Sequence, residues 1–117
     1  MAKVFVVDDE SAMRRVIATQ LRLRGHEMVL QAGSLSEALE ELDKIGELGV
    51  SVAVVDGAFP NRGDGDSLAA ALRAATPCVR IISFSGEDDV QTWGDKNLKK
   101  PDDFLQLCQA IESVLKA

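Results

Sequence analysis

The sequence predicts an α/β fold in which one parallel sheet carries helices on both faces, and three observations predict it. Short runs rich in β-branched residues, such as KVFVV at Lys3–Val7 and VSVAVV at Val50–Val55, are almost wholly apolar rather than alternating. Strands buried on both faces read this way. Stretches with helical periodicity separate these runs, which is the pattern of βα repeats. With 117 residues the chain fits one domain, residues 1–117, of a size that buries roughly two-thirds of its unfolded surface.

Lys3–Val7 reads as the first strand and stops at Asp8-Asp9. Ser11–Arg24 follows as a helix with Met13, Val16, Ile17 and Leu21 on one stripe, and Gly25 suits its C-terminal cap. His26–Ala32 is the second strand, with His26 expected to be exposed at its start. Ser34-Leu35-Ser36-Glu37 matches a capping box, opening a helix from Leu35 to about Ile45. That helix sets Leu35, Ala38, Leu39, Leu42 and Ile45 on one side, with Gly46 and Gly49 at its end. Val50–Val55 is the third strand and stops at Asp56-Gly57. A loop containing Pro60, Gly63 and Gly65 leads to SLAAALRAA at Ser67–Ala75, composed of strong helix formers and halted by Thr76-Pro77. Val79–Phe84 is the fourth strand, ending at Ser85, and a short fifth strand spans Lys96–Lys99. Pro101 opens the last helix, Asp102–Lys116, with Phe104, Leu107, Cys108, Ile111, Val114 and Leu115 inward and two aspartates at its positive end. Right-handed crossovers leave few ways to arrange such a chain. The expected arrangement is a flavodoxin-like doubly wound sheet of five parallel strands in the order 2-1-3-4-5.

Composition narrows the function. With 13 basic and 19 acidic residues the formal charge is −6, which disfavours direct binding to nucleic acid. No apolar run reaches the ~18 residues of a membrane span, and MAKVFVVDDE turns acidic too early for a signal peptide. Cys78 and Cys108 lie in apolar runs without CxxC spacing and are expected to be buried free thiols. A cytoplasmic, membrane-free protein follows as the expectation. A lone histidine rules out His-based metal clusters, and the glycines after Asp56 lack the GK[ST] ending of a P-loop.

Ligands of open parallel sheets collect at the carboxyl ends of the strands. Those ends carry Asp8 and Asp9, Asp56, Ser85, and Lys100 just after the fifth strand. Three neighbouring carboxylates repel, each pair at about 4 Å by about 4 kcal/mol at an intermediate dielectric, so such a pocket wants a cation. Oxygen ligands suit Mg²⁺, with Mn²⁺ as an alternative. A carboxylate beside it can act as nucleophile toward phosphorus, while a hydroxyl and an ammonium hold phosphoryl oxygens. Capping of the first helix by Asp9 or Ser11 is the competing structural reading of that turn.

Taken in order, VFVVDDESAMRR, GHEMVLQAGSLSEALEEL, VVDGAFP, IISFSG and LKKP resemble the receiver domain of two-component response regulators over nearly the whole chain. The resemblance implies that Asp56 is the phosphoacceptor. It implies that Asp8 and Asp9 hold Mg²⁺ together with Asp56 and the backbone carbonyl of Ala58, Asp9 being a direct ligand. Ser85 and Lys100 would bind phosphoryl oxygens. The implied partner is a histidine kinase or phosphotransfer protein, the output a protein target, and the state a monomer or a phosphorylation-dependent dimer. The chain would catalyse only its own phosphoryl transfer and dephosphorylation, and so is not expected to be an enzyme with a separate substrate. It would act alone or as a piece of a longer chain. The alternative is a binding module that keeps the fold and signals without phosphate. A phosphatase with an aspartyl nucleophile fits less well, since such enzymes place a D-x-D motif at the first strand.

The sequence departs from that family in the connection between the fourth and fifth strands. Only 14 residues, GEDDVQTWGDKNLK, separate Ser85 from Lys100, about two helical turns fewer than usual. The family's fourth helix, which belongs there, is expected to be reduced or absent, with a single turn at most near Glu87–Trp93. Asn97 stands three positions before the lysine, where the family commonly carries an aromatic switch residue, and Trp93 is expected to cover core that the missing helix leaves open rather than to supply a substitute ring. Ala58 and Glu87 occupy positions that tune loss of the phosphoryl group in the family, and the small Ala58 is expected to admit water.

Overall fold

A computed structural model describes residues 2–56, 64–85, 93–99 and 104–116. The strands are β1 (Lys3–Val7), β2 (Glu27–Ala32), β3 (Val52–Val55), β4 (Arg80–Ser85) and β5 (Lys96–Lys99). The helices are α1 (Ser11–Leu23), α2 (Leu35–Glu40), α3 (Leu42–Leu48), α4 (Asp64–Ala75) and α5 (Phe104–Lys116). All strand pairs are parallel and the order is β2-β1-β3-β4-β5, as predicted. Residues 86–92, on which the expectation about the family's fourth helix mainly rests, lie outside the described residues.

Alternation along the strands sorts the core into two layers. Val4, Val6, Val52, Val54, Ile82 and Phe84 pack with Ile17 and Leu21 of α1 and with Leu107, Ile111 and Val114 of α5. On the other face Phe5, Val7, Ala53, Val55 and Ile81 pack with Ala38, Ile45, Leu68 and Leu72 of α2, α3 and α4. Trp93 packs against this second layer. Three positions predicted inward are in fact substantially exposed: Val16 at 43%, Leu39 at 42% and Leu115 at 42%. They sit at the margins of apolar stripes wider than the surface the sheet can cover. The side chain of Phe104 lies outside the described part.

Four further expectations are corrected. The predicted single helix from Leu35 is two: α2 ends and α3 begins at Glu41, whose φ of −89° and ψ of −3° break the repeat. Gly46 lies inside α3, and Gly49 alone, at φ 70°, ends it. α4 begins at Asp64, three residues ahead of Ser67, and its first turn carries Asp64 and Asp66 against the positive end of its dipole. Cys78 is exposed, because it falls in the turn before β4, whereas Cys108 is buried as expected.

His26 is buried at 6% exposure, not exposed. The cause is the helix end. Gly25 (φ 81°) donates to the Arg22 carbonyl at 3.2 Å and His26 to the Leu21 carbonyl at 2.9 Å, a double closure that folds the chain back over the last turn of α1. The imidazole Nδ1 then accepts the Ala2 N–H at 3.0 Å, so the proton sits on Nε2, which has no hydrogen-bond partner among the described residues. His26→Ala is expected to cost about 1–3 kcal/mol in urea unfolding, because the buried Ala2 N–H loses its acceptor. His26→Asn, which can present an oxygen near the Nδ1 position, is expected to cost less, and equal losses would contradict this account.

The Cys108 Sγ lies 3.8 Å from the Gln20 carbonyl and links α5 to α1. Burial raises its pKa above the usual thiol range, the Arg24 guanidinium opposes that shift and Glu112 adds to it. The fold therefore favours the neutral thiol. Its contribution is complete below the unfolded thiol range of about 8.5 and is lost as pH rises through the higher folded value. With a thiol-specific disulfide reagent at neutral pH, Cys78 should react at once and Cys108 only on unfolding. Two equally fast thiols would show that α5 does not cover Cys108.

Candidate metal and phosphoryl site at the carboxyl edge of the sheet

The strand ladder continues one residue past its formal ends, and that continuation gathers the acids. Asp8 donates its N–H to the Ala32 carbonyl at 3.1 Å, and Asp56 donates its own to the Val7 carbonyl at 2.9 Å. Val7 pairs with Val55 and Val55 with Ser83, so Asp8 and Asp56 leave neighbouring strands at the same edge. On the next strand β4 ends at Ser85, which pairs with Lys99. Asp8 and Ser85 are each 1% exposed, Asp56 is half-buried and Asp9 is exposed. Lys100 and Ala58 lie outside the described residues.

The turn after β1 is built for exposed charge rather than for capping. The Asp8 Oδ1 accepts the Glu10 N–H at 2.9 Å, a local turn closed by a side chain. Arg14 donates from its guanidinium to the Asp8 carbonyl and, at 2.8 Å, to the Gln31 Oε1, fixing the turn against β2. The N-cap of α1 is Glu10, and no side chain caps that end. Neither Asp9 nor Ser11 takes the capping role that competes with metal binding. Carboxylate oxygens of Asp8, Asp9 and Glu10 lie within 4.8 Å of one another. Asp56 is not part of that close trio, although its backbone is hydrogen-bonded to the strand that carries it.

Glu10 is the acid that the sequence reading passed over. The signal was present as a third consecutive acid in DDE. What brings it beside Asp8 is the turn closed through its own N–H, which sequence spacing alone does not show.

A trio of carboxylate oxygens at this spacing, one of the residues fully buried, suits a small hard cation that takes oxygen ligands and keeps several waters. The donor set fits Mg²⁺.

Comparison with known proteins agrees with this geometry. The family model described as "Response regulator receiver domain" matches residues 4–112. The chain belongs to that family. As a receiver domain it is 33% identical to the transcriptional regulatory protein PdtaR of Mycobacterium tuberculosis over 118 aligned positions, covering 94% of this chain and 55% of that protein. The chain thus spans about half the length of that relative. It is 35% identical to the chemotaxis protein CheY1 of Helicobacter pylori, over 77% of this chain and 74% of CheY1. Among solved structures, a receiver domain from Clostridium thermocellum superposes with a TM-score of 0.84 at 26% identity, covering 99% of this chain and 95% of that one. The fold of the CheY in the CheX–CheY–BeF3–Mg complex of Borrelia burgdorferi is shared too, with a TM-score of 0.81 at 21% identity over 97% of this chain and 89% of that one. The receiver domain is therefore a two-component signalling module. Among the described residues no helix is long and apolar enough to cross a membrane.

Proposed function

We propose that this receiver domain takes a phosphoryl group onto Asp56 from a histidine kinase or phosphotransfer protein, in a reaction that depends on Mg²⁺. The observation that carries the reading is the acidic trio Asp8, Asp9 and Glu10 at the end of β1, on the strand to which Asp56 is hydrogen-bonded. By likeness to the family, Asp8, Asp9, Asp56 and the Ala58 carbonyl hold the ion, with Mn²⁺ able to replace it. Glu10 adds negative potential beside them. Bound there, the ion neutralises charge on phosphoryl oxygens that the carboxylates would otherwise repel.

The chain's own residues do the rest. An Asp56 carboxylate oxygen forms the new bond to phosphorus while the bond from phosphorus to the donor's imidazole nitrogen breaks, and the electron pair leaves with that nitrogen. Ser85, buried at the end of β4, donates its hydroxyl to one phosphoryl oxygen, and the Lys100 ammonium takes another. No separate substrate is turned over. The phosphorylated form favours one of two conformations with different protein contacts, and the output is a protein target. We place the reaction in the cytoplasm, where both free thiols would stay reduced.

Incubation with acetyl phosphate and Mg²⁺ tests the reading: one phosphoryl group should be added and map to Asp56. No mass gain would favour the second reading, a binding module that signals without phosphate. One observation supports that alternative. Asn97, at the position of the family's aromatic switch, is bonded to Ser83 at 2.7 Å, so the usual switching ring has no counterpart at that position.

A further inference from the structure

The segment before β5 is fastened to β4 by side chains. Asp95 donates its N–H to the Ile81 carbonyl at 2.6 Å. Its Oδ2 accepts the Ile81 N–H at 2.7 Å, so a carboxylate supplies the acceptor a strand backbone would provide. One step along, Ser83 and Asn97 face each other in the register, and the Asn97 Oδ1 accepts both the Ser83 hydroxyl at 2.7 Å and the Gly94 N–H at 3.0 Å. The Asn97 Nδ2 returns a bond to the Gly94 carbonyl at 3.3 Å. Gly94 fits only without a side chain: a Cβ there would lie 2.6 Å from the Lys96 carbonyl oxygen and 2.9 Å from the Ser83 nitrogen. Ser83 is fully buried, so an Asn97 lacking its amide would leave that hydroxyl without this acceptor.

The consequence follows from the two adjacent lysines. Strand side chains alternate between faces, so a slip of one residue between β5 and β4 would change which of the two lysines follows the position opposite Ser85. β5 has only four residues with which to hold its register. We propose that Asn97 is a positioning residue for the phosphoryl site: its bonds to Ser83 and Gly94 pin β5 in the register that sets Lys99 opposite Ser85 and leaves Lys100, the next residue, for the phosphoryl group. This rests on the proposed phosphoacceptor role of Asp56. The polar pin occupies the position where the family commonly carries an aromatic residue, in a chain whose β4–β5 connection is short.

The test compares labelling by acetyl phosphate and Mg²⁺ in the parent, Asn97→Val, Ser83→Ala and Asn97→Asp. Valine keeps strand propensity and removes the pin. Its labelling rate should fall at least about tenfold, since displacements near 1 Å can cost on the order of a hundredfold. Ser83→Ala removes one bond and should show a smaller loss, which keeps the test sound if the valine variant fails to fold. Asn97→Asp retains the oxygen that accepts from Ser83 and Gly94 and should recover most of the rate. Mg²⁺ affinity, measured by calorimetry, should be unchanged in all variants, because the acids lie on β1 and β3; a merely structural defect would lower both. Folded Asn97→Val or Ser83→Ala labelled at the parental rate would overturn the positioning role alone. A parent that takes no label would overturn the phosphoacceptor reading, and this one with it.

Discussion

Asp56→Asn is expected to abolish labelling by acetyl phosphate while leaving the fold in place. The amide oxygen of asparagine is a far poorer nucleophile than a carboxylate, and Asp56 is the acid that directly follows the central strand β3. The Asp56 backbone N–H donates to the Val7 carbonyl at 2.9 Å, and that bond does not depend on the side chain. Asparagine is nearly isosteric with aspartate, so urea unfolding should move by no more than about 1 kcal/mol. Intact-mass spectrometry on both proteins decides the matter. Label retained in the asparagine variant would mean that another carboxylate, with Asp9 the first suspect, is the acceptor. Collapse of stability would mean that the Asp56 side chain carries structure, and loss of label could then not be assigned to chemistry.

The architecture was legible because burial on both faces leaves a strong mark. KVFVV and VSVAVV carry no alternation, and each ends abruptly at an aspartate. Once the strands are placed, the handedness of crossovers leaves few orders, and the observed one brings Asp8, Asp9, Asp56 and Ser85 to one edge. What was not legible depends on backbone paths between elements. His26 follows a capping glycine, and a reading by position alone exposes it, but the double closure at Leu21 and Arg22 turns it inward onto Ala2. Glu10 joins the acids because Asp8 accepts its N–H, a detail of one turn. The break at Glu41 hides in a stretch of good helix formers. Asn97 was visible in the sequence as a departure, but its meaning was not. Its partners Ser83 and Gly94 are 14 and three residues away, and only the β4–β5 register puts all three together.

Asp9→Asn should act in opposite directions on stability and on metal binding, and the two signs together test the acidic trio. Without divalent ions, Asp9 repels Asp8 and Glu10, whose oxygens lie within 4.8 Å of its own. Asp9 is exposed, so the water limit of about 1 kcal/mol per pair applies, and salt reduces it further. Removing one charge should raise stability by about 1 kcal/mol at low ionic strength, several degrees in Tm for a domain of this size. The parent should gain about 2.7 kcal/mol when Mg²⁺ reaches a hundred times its dissociation constant, because the ion binds the folded chain alone. The asparagine variant loses one ligand charge and should show almost none of that gain. Thermal unfolding with and without Mg²⁺, at low and at moderate salt, reads both effects. A gain on adding Mg²⁺ that is equal in the two proteins would place the ion elsewhere. A variant less stable than the parent without Mg²⁺ would mean that Asp9 has a stabilising partner that outweighs its acidic neighbours.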